Sequence, residues 1–363
     1  MKPKYIAVAA ANGLSLLFCF VMTLIASGIA EKLPEQHIKE TWAANGDILY
    51  AQVSAYTSDM AGLTEDGIFM ARTNIDKKLL ENSIESKKEN ARLWTDAFST
   101  SQRLINVSSE KASSDANLIA TGGDFFLFHP LDMLSGSCYS DGDIMHDTVV
   151  IDEVLAWRLY GSSDIAGMPV TINGKYFFIS GVFRQSGNSE VKKVYGEKPR
   201  IFMSYHGLEL MGEGMPVFTC YEACLPSPVS GLGAKIFTEA LALDEYSSRI
   251  VENSARYSLK SRFEIISEFG MRSVVDNSVF YPFWENAARI TEDKSALILV
   301  FQLIGLIIPV ITVVWLFVKF IKNRQRLTKK LTESASEKWD RSREKMRQKR
   351  QSKEGSEKSK SRA

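Results

Sequence analysis

From Tyr5 to Ala30, 26 consecutive residues carry no charged side chain, and 23 more, from Ala296 to Val318, repeat the pattern. About 20 apolar residues cross the hydrocarbon core of a bilayer as an α-helix, so each stretch is long enough to span it. Everything between them then lies on one side of a membrane. Each stretch carries a helix disturber, Asn12-Gly13 in the first and Pro309 in the second. Membrane helices accommodate such residues where neighbouring helices satisfy the freed backbone groups, so the spans read as parts of a packed bundle. Their only ionisable side chains are Tyr5 and Cys19, which gives no support to an ion or proton path through this chain alone.

The flanks set the orientation. Lys2 and Lys4 precede the first span, and Lys319, Lys322, Arg324, Arg326, Lys329 and Lys330 follow the second. Positive flanks stay cytoplasmic, which puts both ends inside and residues 31–295 outside. The charge division agrees. Residues 320–363 hold 16 Lys/Arg against 6 Asp/Glu, a net of +10, while residues 31–295 hold 25 against 37, a net of −12. A near-neutral total built from opposed parts points to two compartments. The competing reading is a cleaved signal peptide ending near Gly28-Ile29-Ala30. Its apolar core would exceed the usual 7–15 residues, and cleavage would leave a single-pass protein with the same outer domain. The expected plan is a four-residue cytoplasmic start (1–4), a span (5–30), an outer domain (31–295), a second span (296–318) and a basic cytoplasmic tail (319–363). The tail loses apolar periodicity after Leu331 and reads as a helix fraying into disorder, attracted to anionic lipid or an acidic surface.

In the outer domain, residues 46–56 alternate as a strand. Residues 63–84 follow as an amphipathic helix capped by Thr64, and "RLWTDAFSTSQRLINVSS" reads as a hairpin of two strands. Residues 216–226 form another strand and 232–247 another helix, while "FEIISEF" is ambiguous by periodicity. Two βαβ-like halves suggest a ferredoxin-like α+β unit. Between them, Val149 to Ile151 is a strand, and a short helix follows that ends at Gly161. Asn173-Gly174 marks a type I′ hairpin, and Gly181 a bulge or bend in its second strand.

Catalytic signatures are missing from this region. There is no P-loop, and no H-E-x-x-H, G-x-S-x-G or G-x-G-x-x-G pattern. His37, His129, His146 and His206 are scattered, and His146-Asp147 reads as a turn rather than a catalytic pair. Asp141, Asp143 and Asp147 lack the twelve-residue calcium loop and read as a solvated turn. Cys138, Cys220 and Cys224 show no disulfide framework, and the Cys220-x-x-x-Cys224 spacing does not suit zinc. They read as small buried thiols. No catalytic residue, cofactor, metal or nucleic-acid partner is expected.

Seven short features run in order through residues 136–183. They are Gly136 to Tyr139, Asp141 to Asp143, Val149 to Ile151, Ala156 to Gly161, Asp164 to Val170, Asn173-Gly174 and Ile179 to Val182. Together they resemble the periplasmic core domain of MacB-like, FtsX-like ABC transporter permeases, with residues 31–290 similar in layout. The resemblance implies an α+β outer domain of two lobes between two transmembrane helices. One is a porter-like ferredoxin-type lobe (46–120 plus 216–285), and the other a mostly β lobe inserted into it (122–212). It also implies dimers working with a cytoplasmic ATPase and passing motion outward through helices that extend the spans. Family permeases carry three spans after the domain; here one span and the basic tail follow it. The ATPase contact is therefore expected directly or through another permease chain. The expected function is a non-catalytic membrane subunit of an ABC-type transport or mechanotransmission complex in the cell membrane. The alternative is a membrane-anchored module that captures an extracellular ligand in a cleft rich in exposed aromatics such as Trp157, Tyr195 or Tyr205. An envelope enzyme ranks last.

Overall fold

The computed structural model describes residues 3–31, 33–42, 49–86, 92–196, 198–268 and 279–360. It divides into two compact units, Leu24–Leu299 and Met1–Thr23 with Val300–Ala363. The smaller unit holds most of α1 (Pro3–Ala30) and of the C-terminal helix, Phe283–Lys360, both of which contain stretches long and apolar enough to cross a membrane. Within it the two helices meet through small and polar groups. Asn12 Nδ2 donates to Thr312 Oγ1 (3.0 Å), Ser15 bonds the Gly305 carbonyl, and Gln302 Nε2 donates to Thr23 Oγ1 (2.8 Å). A Cβ on Gly305 would sit 2.8 Å from Cys19 Sγ, so glycine sets how closely the helices approach. Asn12, read from sequence as a disturber, is here a bridge between helices. The C-terminal helix stays helical through Lys360, well past Leu331, where the sequence reading expected fraying.

The larger unit begins with α2 (Ile38–Trp42), β1 (Tyr50–Thr57) and α3 (Glu65–Glu81). Thr64 caps α3 as its sequence implies, its hydroxyl accepting the Gly67 N–H at 3.2 Å. Removing that acceptor in Thr64→Ala should cost about 1 kcal/mol in equilibrium denaturation of the whole chain. Next come β2 (Thr95–Thr100), β3 (Arg103–Ser108), β4 (Ser113–Gly123), α4 (Phe125–Phe128), β5 (Met133–Gly136), β6 (Thr148–Asp152) and α5 (Glu153–Tyr160). They are followed by β7 (Pro169–Ile172), β8 (Lys175–Phe183), α6 (Ser189–Tyr195), β9 (Arg200–Ser204), α7 (His206–Leu210) and β10 (Phe218–Pro226). The unit ends with α8 (Leu232–Leu241), β11 (Ser248–Glu252), α9 (Leu259–Ser267) and the first turns of α10 (Phe283–Lys360).

The turn chemistry read from sequence is present. Gly161 closes α5 in the left-handed region at φ 72°. Asn173 and Gly174 have φ of 49° and 75°, as a type I′ turn requires. The β6–β8 register shifts opposite Gly181, which is the expected bulge. "FEIISEF" lies largely in α9, a helix begun by the Ser258 cap on Ser261 N–H. The helix expected over 232–247 stops at Leu241, where Ala242 turns left-handed at φ 45°. One expectation is corrected. β2 and β3 both exist, but they do not pair with each other; β4 lies between them, with Ala97 opposite Gly123 and Arg103 opposite Leu118. The linking Ser101-Gln102 offers no glycine or asparagine for a tight primed turn, so the strands splay apart.

Strand order runs β11-β1-β10-β2-β4-β3-β7-β8-β6-β9, with β5 added on β8. β9 then returns to pair in parallel with β4, Asn117 opposite Arg200, so six strands close into a ring. The remaining strands, β11-β1-β10-β2, form an open antiparallel sheet whose residues alternate between two buried faces. Ala51, Val53, Ala55, Tyr221, Ala223 and Leu225 join the core cluster that includes α3 and α8 residues. The other face carries Gln52, Ser54, Tyr56, Cys220, Glu222 and Cys224, which is unusually polar for a buried surface.

Candidate functional site

A polar sheet face can be buried only if its groups are paired, because each unmatched one costs about 1–3 kcal/mol. Here the pairing runs as a chain. Glu222 on β10 accepts the Ser54 hydroxyl (2.7 Å) and contacts His129 Nε2 (2.5 Å). Ser54 Oγ accepts from Asn253 Nδ2 (2.7 Å), and Asn253 Oδ1 accepts from Arg256 Nη1 (3.1 Å). Arg256 then grips α10. Its Nη1 and Nη2 donate to the two carboxylate oxygens of Glu285 (2.7 and 2.5 Å), and its Nε donates to Glu292 (2.6 Å). Tyr56 OH adds a bond to Glu285 at 3.0 Å. The Arg256 and Glu285 side chains are 2% and 0% exposed. Burial works against the Arg256 charge, yet Glu285 and Glu292 together hold its pKa well above the ordinary arginine value. Burial, then Glu285, pushes the Tyr56 phenol well above its usual range.

A second fastening reaches α10 from the ring of strands. Arg200, fully buried, stacks its guanidinium on Tyr195 (3.6 Å) and on Phe283, the first residue of α10 (3.9 Å). Its Nη2 donates to the Tyr195 carbonyl (2.6 Å). Asp152 orients this corner by capping Leu155 N–H and accepting from Arg200 N–H and Tyr195 OH. Lys294 pairs with Glu190 on α6. Glu285, Arg289 and Glu292 recur every three or four residues and so share one face of α10. That spacing was unread in the sequence, though it is the kind of signal that could have marked this junction. Arg256, the partner that makes it, carried none.

Chemically, this arrangement fastens. Arg256, Glu285 and Glu292 face one another in closed pairs, a geometry for holding a helix on a sheet. Glu35, just after α1, is the exception. Burial is the main force raising its carboxyl pKa, partly offset by His129. A carboxyl whose pKa is raised on folding binds protons more readily in the folded chain, so stability falls as pH climbs from the ordinary 4.5 through the folded value. Glu35→Gln should therefore be more thermostable than the parent at neutral pH, with the difference closing below about pH 4 in melting curves of the whole chain.

The residues singled out in the sequence fall as follows. Cys220 and Cys224 are buried free thiols on β10, and burial pushes Cys224 up to about 12. Cys138 is a free, partly buried thiol pushed up to about 11 by burial. Asp143 accepts the Ser140 N–H within a turn. His146 stacks on His206 at 4.4 Å between ring centroids, a meeting of two histidines that their spacing hid. Of the three aromatics proposed for a ligand cleft, Trp157 is exposed, while Tyr195 and Tyr205 are buried in the core. Among the described residues no group of three or more His, Cys, Asp or Glu is placed to hold a metal ion.

The sequence model of the MacB-like periplasmic core domain matches residues 10–218, more than half of the chain. Among curated proteins no sequence matches significantly. Among solved structures, the chain is similar to the periplasmic region of MacB from Actinobacillus actinomycetemcomitans. Identity is 15%, over 59% of this chain and 92% of that one, with a TM-score of 0.40. It is similar to the extracellular domain of the noncanonic ABC-type transporter YknZ from Gram-positive bacteria at 12% identity, over 56% and 99% of the two chains, with a TM-score of 0.37. A domain of a permease protein from Porphyromonas gingivalis gives 10%, 56% and 87%, with a TM-score of 0.31. On the family match, this chain belongs to the family of the MacB-like periplasmic core domain, a membrane protein with two apolar helices and a mixed α/β extracytoplasmic segment.

Proposed function

We propose that the chain is a non-catalytic, two-span subunit of an ABC-type transport or mechanotransmission complex, with both termini cytoplasmic and residues 31–295 outside. The observation that carries this is the junction at Arg256. The helix that contains the second apolar stretch has its first turns locked to the sheet by buried ion pairs on Glu285 and Glu292. A helix so fastened passes displacement to the sheet instead of sliding past it, which is what coupling of motion requires. Family membership supports a permease-like role. In this reading the spans pair with another permease chain, and a cytoplasmic ABC ATPase is engaged directly or through that chain.

Two lobes follow from the same reading, one of residues 46–120 with 216–285 and one inserted over 122–212. In support, β11, β1, β10 and β2 pair among themselves, and β5 to β9 do likewise. β3 and β4 pair toward the second group as well, so the lobes would share β4 as a common strand. The test is isolation from native membranes in mild detergents. A second permease chain and an ATPase should copurify; recovery of the free monomer alone across several detergents would overturn the assignment.

A further inference from the structure

Pro309 lies inside α10, within its apolar stretch. Proline has no N–H to give, so the carbonyl four residues earlier, that of Gly305, loses the bond that would close its turn. Helices bend at such gaps. In hydrocarbon no water replaces the missing donor, so the freed carbonyl is costly unless another helix serves it. α10 nevertheless runs unbroken through Pro309. The donor comes from the other span: the Ser15 hydroxyl of α1 bonds the Gly305 carbonyl. Hydroxyls in helices commonly turn back onto a carbonyl of their own preceding turn. Thr23 and Thr312 do so, on Cys19 O (3.0 Å) and Ile308 O (2.9 Å). Ser15 instead reaches across to α10, and at 9% exposure it is enclosed by the helix pair. Gly305 makes the reach possible, since a Cβ there would lie 2.8 Å from Cys19 Sγ and 3.0 Å from Phe18 Cδ1. Flanking contacts fix the register. Asn12 Nδ2 donates to Thr312 Oγ1 (3.0 Å) on one side, and Cys19 Sγ to the Gln302 carbonyl (3.5 Å) on the other.

We propose that the first span is a retained brace for a proline break in the second, with Ser15 as the positioning residue. Its hydroxyl replaces the donor that Pro309 removes and holds α10 stiff at the point where it would otherwise bend. A leader cleaved after Ala30 would take Ser15 with it, so the brace requires that the first span stay. The use of that stiffness, carrying displacement along α10 past Pro309, rests on the coupling role proposed above. The brace itself does not, because it depends only on the two spans of one chain.

The test is a double-mutant cycle on the full chain in detergent. Ser15→Ala should lower the melting temperature by about 2–4 °C, the shift expected for loss of one such bond. In a Pro309→Ala background the same change should cost little, because residue 309 then donates its own N–H to Gly305. The bend is read directly by pulsed electron paramagnetic resonance. Nitroxide amino acids replace Phe301 and Val318, two exposed positions on either side of Pro309. The parent should give one narrow distance, Ser15→Ala a broad distribution, and Ser15→Ala/Pro309→Ala a narrow one again. Equal melting losses in both backgrounds, or an unchanged distribution in Ser15→Ala, would overturn the brace. So would an intact mass, for chain isolated from native membranes, that begins at Glu31. These readouts use the chain alone, so their failure is distinct from a failure to copurify a permease and an ATPase.

Discussion

Arg256→Met will destabilise the folded chain by about 3–5 kcal/mol, because it takes the buried guanidinium from Glu285 and Glu292 and leaves Glu285 only the longer Arg289 contact at 3.6 Å. For a unit of this size that is on the order of a 10 °C fall in melting temperature. Loss of packing is a minor part of the effect, since methionine fills much of the arginine volume. The decisive comparison is the triple variant Arg256→Met/Glu285→Leu/Glu292→Leu. Removing all three charges removes the desolvation penalty with the attraction, so the triple variant should recover most of the loss. Denaturant unfolding of the whole chain, followed by tryptophan fluorescence, reads both. A single-variant loss below about 1 kcal/mol would mean that Arg256 is solvated and that the junction does not hold α10.

Gly136→Ala should cost about 3 kcal/mol. Gly136 has φ of +66°, which costs an L-residue roughly 1–2 kcal/mol. In addition, a Cβ there would lie 2.0 Å from the Ser180 carbonyl oxygen and 2.9 Å from Gly181 Cα. These are backbone atoms of β8 that cannot swing aside, so overpacking adds about 1–3 kcal/mol. Gly174→Ala is the control. Its φ is +75°, but its Cβ would enter open space, so only the conformational cost applies. Equal losses in the two variants would show that the β5–β8 contact is loose.

That contact also explains why residues 136–183 were so legible. Gly136 and Gly181 mark the first and last of the seven features, and they are partners across β5 and β8. Between them the helix and the hairpin have local causes: the Asp152 cap, the Gly161 stop and the Asn173-Gly174 turn act within a few residues. Thr64 and Ser258 caps were readable, or would have been, for the same reason. Less was legible where pairing is distant. The sequence favoured β2 and β3 as a hairpin because neighbours in sequence usually pair, and β4 intervened.

By itself the sequence determined the two apolar spans, the charge asymmetry that suits an outer domain between them, most of the strands and helices, and the family. These depend on composition, period and short-range caps, which act within a turn or two of chain. Only the tertiary structure decided that β9 returns to β4 and closes six strands into a ring. It alone made Arg256, one arginine among many, the charge that fastens α10. Both outcomes hinge on groups far apart in sequence meeting where water is excluded, and there an unpaired polar group is too costly to leave alone.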